Sequence, residues 1–132
     1  MELRSAPIGD RPFVRAYGPG GFTIGATRLE GSLLLLPDRV ERWAPVDPDA
    51  LAAEDFRMLR PLAGDAVSLL VLGLGAANRP VRSALLAELR TWGLAVEVAA
   101  TPAACRTWNL VLAEERRAAA ALLALPRVRQ AD

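Results

Sequence analysis

The stretch "LLVLGLGAANRPV", Leu69 to Val81, decides how the rest of the chain is read. The apolar run Val67–Leu72 suits a strand buried on both faces. It runs into Gly73-Leu74-Gly75 and then toward Pro80, which opens a helix, "PVRSALLAELRTWG". In that helix Val81, Leu85, Leu89 and Trp92 share one face, and Gly93 is a natural C′ residue. "LAVEVAA" follows as the next strand. Strand, helix, strand is an α/β unit, with a right-handed crossover expected between Val67–Leu72 and Leu94–Val98. Thr101-Pro102 then reads as an N-cap with proline at N1. It starts a third helix through "AACRTWNLVL".

Upstream the pattern is different. Phe13 to Tyr17 and Phe22 to Ile24 are short strand signals parted by the turn Gly18-Pro19-Gly20-Gly21. Glu30-Gly31 is a further turn, and Ser32 to Leu36 is solidly apolar up to Pro37. "DRVERWAP" alternates, as a strand with one wet face would, and places Trp43 on that face or at an edge. Large aromatics concentrate at interfaces, so Trp43 is a candidate partner anchor; packing under a neighbouring loop is the competing reading. Asp47 and Pro48 begin a helical pattern with Leu51, Asp55, Met58, Leu59 and Leu62 on one stripe. The front is thus β-rich and antiparallel, the back α/β, and the two halves are expected to share one sheet.

The 132 residues fit one domain spanning 1–132, with a loose segment at 1–12 and a tail at 126–132. Such a chain buries roughly two-thirds of its unfolded surface without a staple. Charges nearly balance, 16 basic against 15 acidic, so no nucleic-acid partner is indicated. Every basic residue is Arg and there is no His. That excludes a lysine Schiff base, a P-loop lysine, a histidine general base and histidine metal ligands. Cys105 is the only cysteine, which fits a reducing compartment and a core-packing role. The longest nearly uncharged stretch, Ala66 to Asn78, has 13 residues, whereas a bilayer span takes about 20. A cytoplasmic chain without membrane insertion is expected.

The glycine turn raises the question of a dinucleotide. That fingerprint needs glycine at three positions, and Gly73 and Gly75 supply two. Asn78 occupies the third, and Glu97 lies inside its strand rather than at the tip where the ribose acid belongs. A tight strand-to-loop turn is the better reading, and no cofactor is assigned. A weaker possibility survives at the carboxyl ends of the two strands, where open sheets bind ligands. There the amides at the start of the third helix, near Thr101, would face a small anion. Asn109 is either buried with partners or exposed on the polar side of that helix. Glu114, Glu115, Arg116 and Arg117 read by themselves as a solvated charge cluster. No catalytic constellation and no metal cluster is apparent.

The tail "EERRAAAALLALP" leaves two readings. Its alanines continue the third helix to Leu125, or the chain turns at Glu114-Glu115 and returns as a strand from Arg116 to Leu125. A resemblance bears on this. From about Tyr17 to Leu125 the chain resembles a family of small α/β domains of unknown function, whose eukaryotic members include a mitochondrial assembly factor for respiratory complex I and an adipogenesis-associated protein. The most specific part is Thr101, Ala104, Thr107, Trp108, Asn109, Glu114 and Arg116; Ser32, Pro37, Trp43, Gly73 and Gly75 also match. Leu74 stands where members often have Thr, Ala76-Ala77 where a charged pair is common, and Glu115 where glycine is frequent.

The resemblance implies a single three-layer α/β domain, an N-terminal antiparallel β segment joined to a mixed central sheet, with about three helices and a C-terminal strand. A strand covered on both faces also explains why "AAAALLAL" is apolar throughout. The function implied is a non-enzymatic interaction protein assisting assembly of a respiratory, complex I-like membrane complex, with respiratory subunits or assembly factors as protein partners. The alternative is a small-ligand or enzymatic domain. Its crevice would lie between Gly73-Leu74-Gly75 and Thr101–Asn109, with Glu114 and Arg116 nearby.

Overall fold

A computed structural model describes residues 11–127; most of the two expected terminal segments lies outside them. Three short strands come first: β1 (Val14–Gly18), β2 (Gly21–Ile24) and β3 (Thr27–Glu30). They form an antiparallel sheet of their own, in the order β1-β2-β3. β4 (Ser32–Leu36) and β5 (Arg39–Trp43) belong to a second sheet with β6 (Leu69–Gly73), β7 (Ala95–Ala99) and β8 (Ala118–Leu122). Its order is β5-β4-β8-β6-β7: antiparallel where β4 meets β5 and β8, parallel where β6 meets β7 and β8. Only β4 and β5 of the front half therefore enter the shared sheet, and β1–β3 pack across it instead.

β4, β6 and β8 are buried along their whole length. Alternation divides their side chains between two cores. Leu33, Leu35, Leu69, Val71, Ala118, Ala120 and Leu122 face one layer, built from β1–β3 and helix α2 (Thr101–Ala113). Leu34, Leu36, Leu70, Leu72, Ala119, Ala121 and Leu123 face the other, built from helix α1 (Ser83–Thr91) and two 3₁₀ segments. The result is a three-layer α/β domain with a mixed central sheet. Each fully buried leucine contributes about 1.5–3 kcal/mol, so both faces must be covered for the sheet to persist. The tail forms strand β8, inserted between β4 and β6, and does not prolong α2.

Several elements differ from the sequence expectation. The helix after Asp47 is two 3₁₀ segments, Pro48–Ala50 and Ala53–Leu62. Asp47 does cap the first, accepting from the Asp49 amide at 2.9 Å. Pro61, inside the second, has no amide to donate and its ring opposes α-helical continuation. The buried residues there are Leu51, Phe56 and Leu59, while Met58 is exposed. Helix α1 begins at Ser83, three residues past Pro80. Thr101 is the first helical residue of α2 rather than its cap; Ala100 holds the cap position without a side-chain bond.

Candidate functional site

The geometry around Gly73-Leu74-Gly75 follows from one hydroxyl. Thr101 is fully buried. Its Oγ1 accepts from the Gly75 amide at 2.8 Å and donates to Leu123 O at 2.7 Å. The main chain adds three bonds at the same place. The Leu74 amide donates to Ala99 O, the Thr101 amide to Gly75 O and the Leu123 amide to Gly73 O, at 2.8–2.9 Å. A side chain cannot fit at Gly73 without movement. A Cβ there would lie 3.0 Å from Thr101 Oγ1 and 3.1 Å from both Ala104 Cβ and Leu122 Cδ2. Gly75 takes a positive φ of 90°. The ends of β6, β7 and β8 and the first turn of α2 are thus tied together by their own polar groups. Pro102 has no amide, and the Thr101 and Ala104 amides are already bonded, so little of the anion-facing capacity of this helix start remains.

The other proposed crevice residues lie apart from that knot. Asn109 is eight residues along α2, roughly 12 Å by helical rise. Its amide serves strand β1: Oδ1 accepts from the Val14 amide at 2.8 Å and Nδ2 donates to Val14 O at 2.9 Å. Next to it, the Trp108 indole donates to Pro12 O at 2.9 Å. Glu114 and Arg116 sit at the far end of α2, exposed, in the turn to β8. The structure therefore joins Gly73, Gly75 and Thr101 and separates them from Asn109, Glu114 and Arg116. Trp43, expected on a wet face or at an edge, does lie on the outer strand β5 but is only 6% exposed, packed under the neighbouring segment as the competing reading had it. Its indole donates to Asp55 O at 2.7 Å and its ring meets Phe56 at 5.3 Å. The reason is that Val40 and Trp43 point to opposite cores, so β5 has no fully wet face.

Cys105 is buried, and desolvation pushes its thiol up to about 12, against a small opposing influence of Arg106. At neutral pH it carries no thiolate. Among the described residues no group of three His, Cys, Asp or Glu could hold a metal ion, and no helix is long and apolar enough to cross a membrane.

Comparison with known proteins places this geometry. The model of the family described as "Protein of unknown function (DUF498/DUF598)" matches residues 14–123. The chain belongs to this family. Among DUF498/DUF598 relatives, an uncharacterized protein of Rhodobacter capsulatus is 36% identical over 113 residues, covering 86% of this chain and 85% of that one. Proteins named NADH dehydrogenase [ubiquinone] 1 alpha subcomplex assembly factor 3 also match. That of Danio rerio is 35% identical over 116 residues, covering 86% of this chain and 64% of its own. That of Homo sapiens is 32% identical over 114 residues, covering 86% and 61%. The chain thus spans less than two thirds of these assembly factors. Among solved structures, the Rpa2829 protein of Rhodopseudomonas palustris superposes with a TM-score of 0.80 at 32% identity, covering 96% of this chain and 91% of that one. A crystal structure described as an outer membrane protein from Bartonella henselae gives 0.78 at 28% identity, covering 87% and 98%.

This DUF498/DUF598 chain has an open groove of about 560 Å³, lined by Leu74 and Gly75 but not by Gly73 or Thr101. Val46, Leu74, Ala77 and Leu125 line it, and Arg79 and Arg127 stand at it. Both arginines are already paired, Arg79 with Asp49 at 2.8 Å and Arg127 with Glu30. The sequence reading missed this groove. Its walls come from five separate chain segments, and the only local signal was the glycine turn itself.

Proposed function

We propose that this chain is a non-enzymatic interaction protein that assists assembly of a respiratory, complex I-like membrane complex from the cytoplasmic side. One observation carries the reading: relatives named as complex I assembly factors align with 86% of this chain at 35% and 32% identity. The site geometry is compatible with it. The polar groups of Gly75, Thr101 and Asn109 are taken up by bonds within the chain, which leaves no free catalytic set among them. In this reading Gly73, Gly75, Thr101 and Asn109 hold the fold, while the exposed Glu114 and Arg116 are available to partners.

Deletion of the gene in its native host tests the proposal. The expected result is loss of assembled NADH:quinone oxidoreductase on native gels, with its subunits still synthesised and assembly restored by the intact chain. Unchanged oxidoreductase activity and assembly after deletion would overturn it.

A further inference from the structure

Among the described residues the two sheets have four outer strands: β1, β3, β5 and β7. An outer strand offers unpaired amides and carbonyls to any passing chain, and folded proteins guard such edges. Three of the four are guarded. On β1, the Asn109 side chain takes both backbone groups of Val14, as a neighbouring strand would. β3 carries Arg28 and Glu30, paired at 3.2 Å. β5 carries Arg42 and the pair Arg39–Glu41, also at 3.2 Å.

Among the described residues β7 carries a single charge, Glu97, with no ion pair and no side chain bonded to its outer edge. Its sequence is AVEVA, without proline or bulge, and its register with β6 is regular from Ala95 to Ala99. The Ala95 amide donates to Ser68 O, and Ala99 O accepts from the Leu74 amide, both at 2.9 Å. The odd-numbered residues therefore turn their backbone groups toward β6. By the alternation of a strand, Val96 and Val98 turn theirs outward: two donors and two acceptors in a row. Glu97 is exposed between them and has no ion-pair partner among the described residues.

We infer that the β7 edge is a docking site for an extended segment of another polypeptide, which adds to the sheet as a sixth strand and presents a basic residue to Glu97. The backbone ladder fixes the class of ligand, because only an extended chain satisfies two donors and two acceptors at strand spacing. The charge fixes its central residue. Glu97 faces β6 with its own backbone, so against an antiparallel newcomer it occupies a non-hydrogen-bonded position, where opposing side chains come closest. The same geometry disfavours a second copy of this chain. Full antiparallel overlap of two β7 strands sets Glu97 directly against Glu97, and like charges directly opposite are destabilising. This inference does not depend on which complex the protein serves.

The test uses the full chain, labelled with ¹⁵N, and blocked peptides of about seven residues alternating valine and threonine around one central arginine. At roughly millimolar peptide, amide exchange at Val96 and Val98 slows, and shift changes centre on β7. Replacing the central arginine by glutamate weakens binding by roughly three-fold or more. Methylating alternate peptide nitrogens abolishes it. Val98→Pro removes an outward donor without touching the β6 ladder, so the protein stays folded and binding is lost. Glu97→Arg reverses the preference between the two peptides, a readout that a merely destabilised strand does not give. Three results would overturn the inference: no change at β7, binding unaffected by Val98→Pro, or protection of Val96 and Val98 that grows with protein concentration in the absence of peptide. The last would make a second copy the occupant.

Discussion

The chain leaves α1 and α2 through the same backbone turn, with different residues at its left-handed position. After α1, the Gly93 amide donates to Arg90 O at 2.9 Å and the Leu94 amide to Leu89 O at 3.2 Å. After α2, the Glu115 amide donates to Leu112 O at 3.0 Å and the Arg116 amide to Val111 O at 3.1 Å. Both are Schellman closures, which put a positive φ at the C′ residue. Gly93 has φ 101° and Glu115 has φ 57°. What separates them is contact. A Cβ at Gly93 would lie 2.8 Å from Gly64 Cα, whereas Glu115 is exposed. Glycine is thus favoured for two different reasons, conformation and space. At Gly93 both apply, at Glu115 only conformation. Gly73 is the remaining case: its φ is not positive, and only space is demanded.

The sharpest break of this comparison is Gly93→Ala. Alanine in the left-handed region costs about 1–2 kcal/mol, and forcing a methyl against backbone costs about 1–3 kcal/mol more. A loss of about 3 kcal/mol or more in denaturant unfolding is expected. A loss under about 1 kcal/mol would mean that the Gly64 loop moves aside freely and that contact is not the distinguishing feature. Next is Thr101→Val, which keeps the shape around Gly73 and removes the hydroxyl. It strands the Gly75 amide and Leu123 O in a buried site, at about 2–3 kcal/mol. Thr101→Ser should retain most of the stability, because it keeps both bonds. If serine is as damaging as valine, the methyl group contributes as much to the knot as the hydroxyl does. Smaller again is Gly73→Ala, at about 1–2 kcal/mol, since the atoms it meets belong to side chains that can give slightly.

These residues also mark where the sequence could be read and where it could not. The strand at Leu69–Gly73, the helix ending at Gly93 and the antiparallel front follow from local signals: apolar runs, helical spacing, glycine turns. The segment from Ala53 to Leu62 carries helical spacing too, yet it forms 3₁₀ structure, with Pro61 near its end, and buries a different set. The knot was less legible. Thr101-Pro102 has the appearance of a cap, but its hydroxyl bonds to residues 26 and 22 positions away. Asn109 reaches a strand 95 positions away. No local pattern encodes partners at that separation. The open β7 edge was invisible for a related reason: whether a strand is an outer one depends on the order of the whole sheet.

The turn at Glu115 is where local reading left two outcomes, helix or strand, and it carries the smallest prediction. Nothing in "AEERRAAAA" stops a helix, because the residue at the left-handed position is not glycine. The turn forms anyway, since β8 then buries its side chains on both faces of the sheet. Tertiary burial thus overrides a conformational cost of about 1–2 kcal/mol at one residue. Glu115→Gly should recover that cost, less the about 0.4–1 kcal/mol by which glycine loosens the unfolded chain. The expected net gain is about 0.5–1 kcal/mol in denaturant unfolding. Glu115→Ala separates the causes. It removes the carboxylate from the negative end of α2, an effect of a few tenths of a kcal/mol at an exposed site, but keeps the strained φ. If glycine gains clearly more than alanine, conformation alone distinguishes the two helix ends at this position. If they gain equally, the difference between Gly93 and Glu115 is one of charge and contact, and the left-handed turn after α2 costs the chain little.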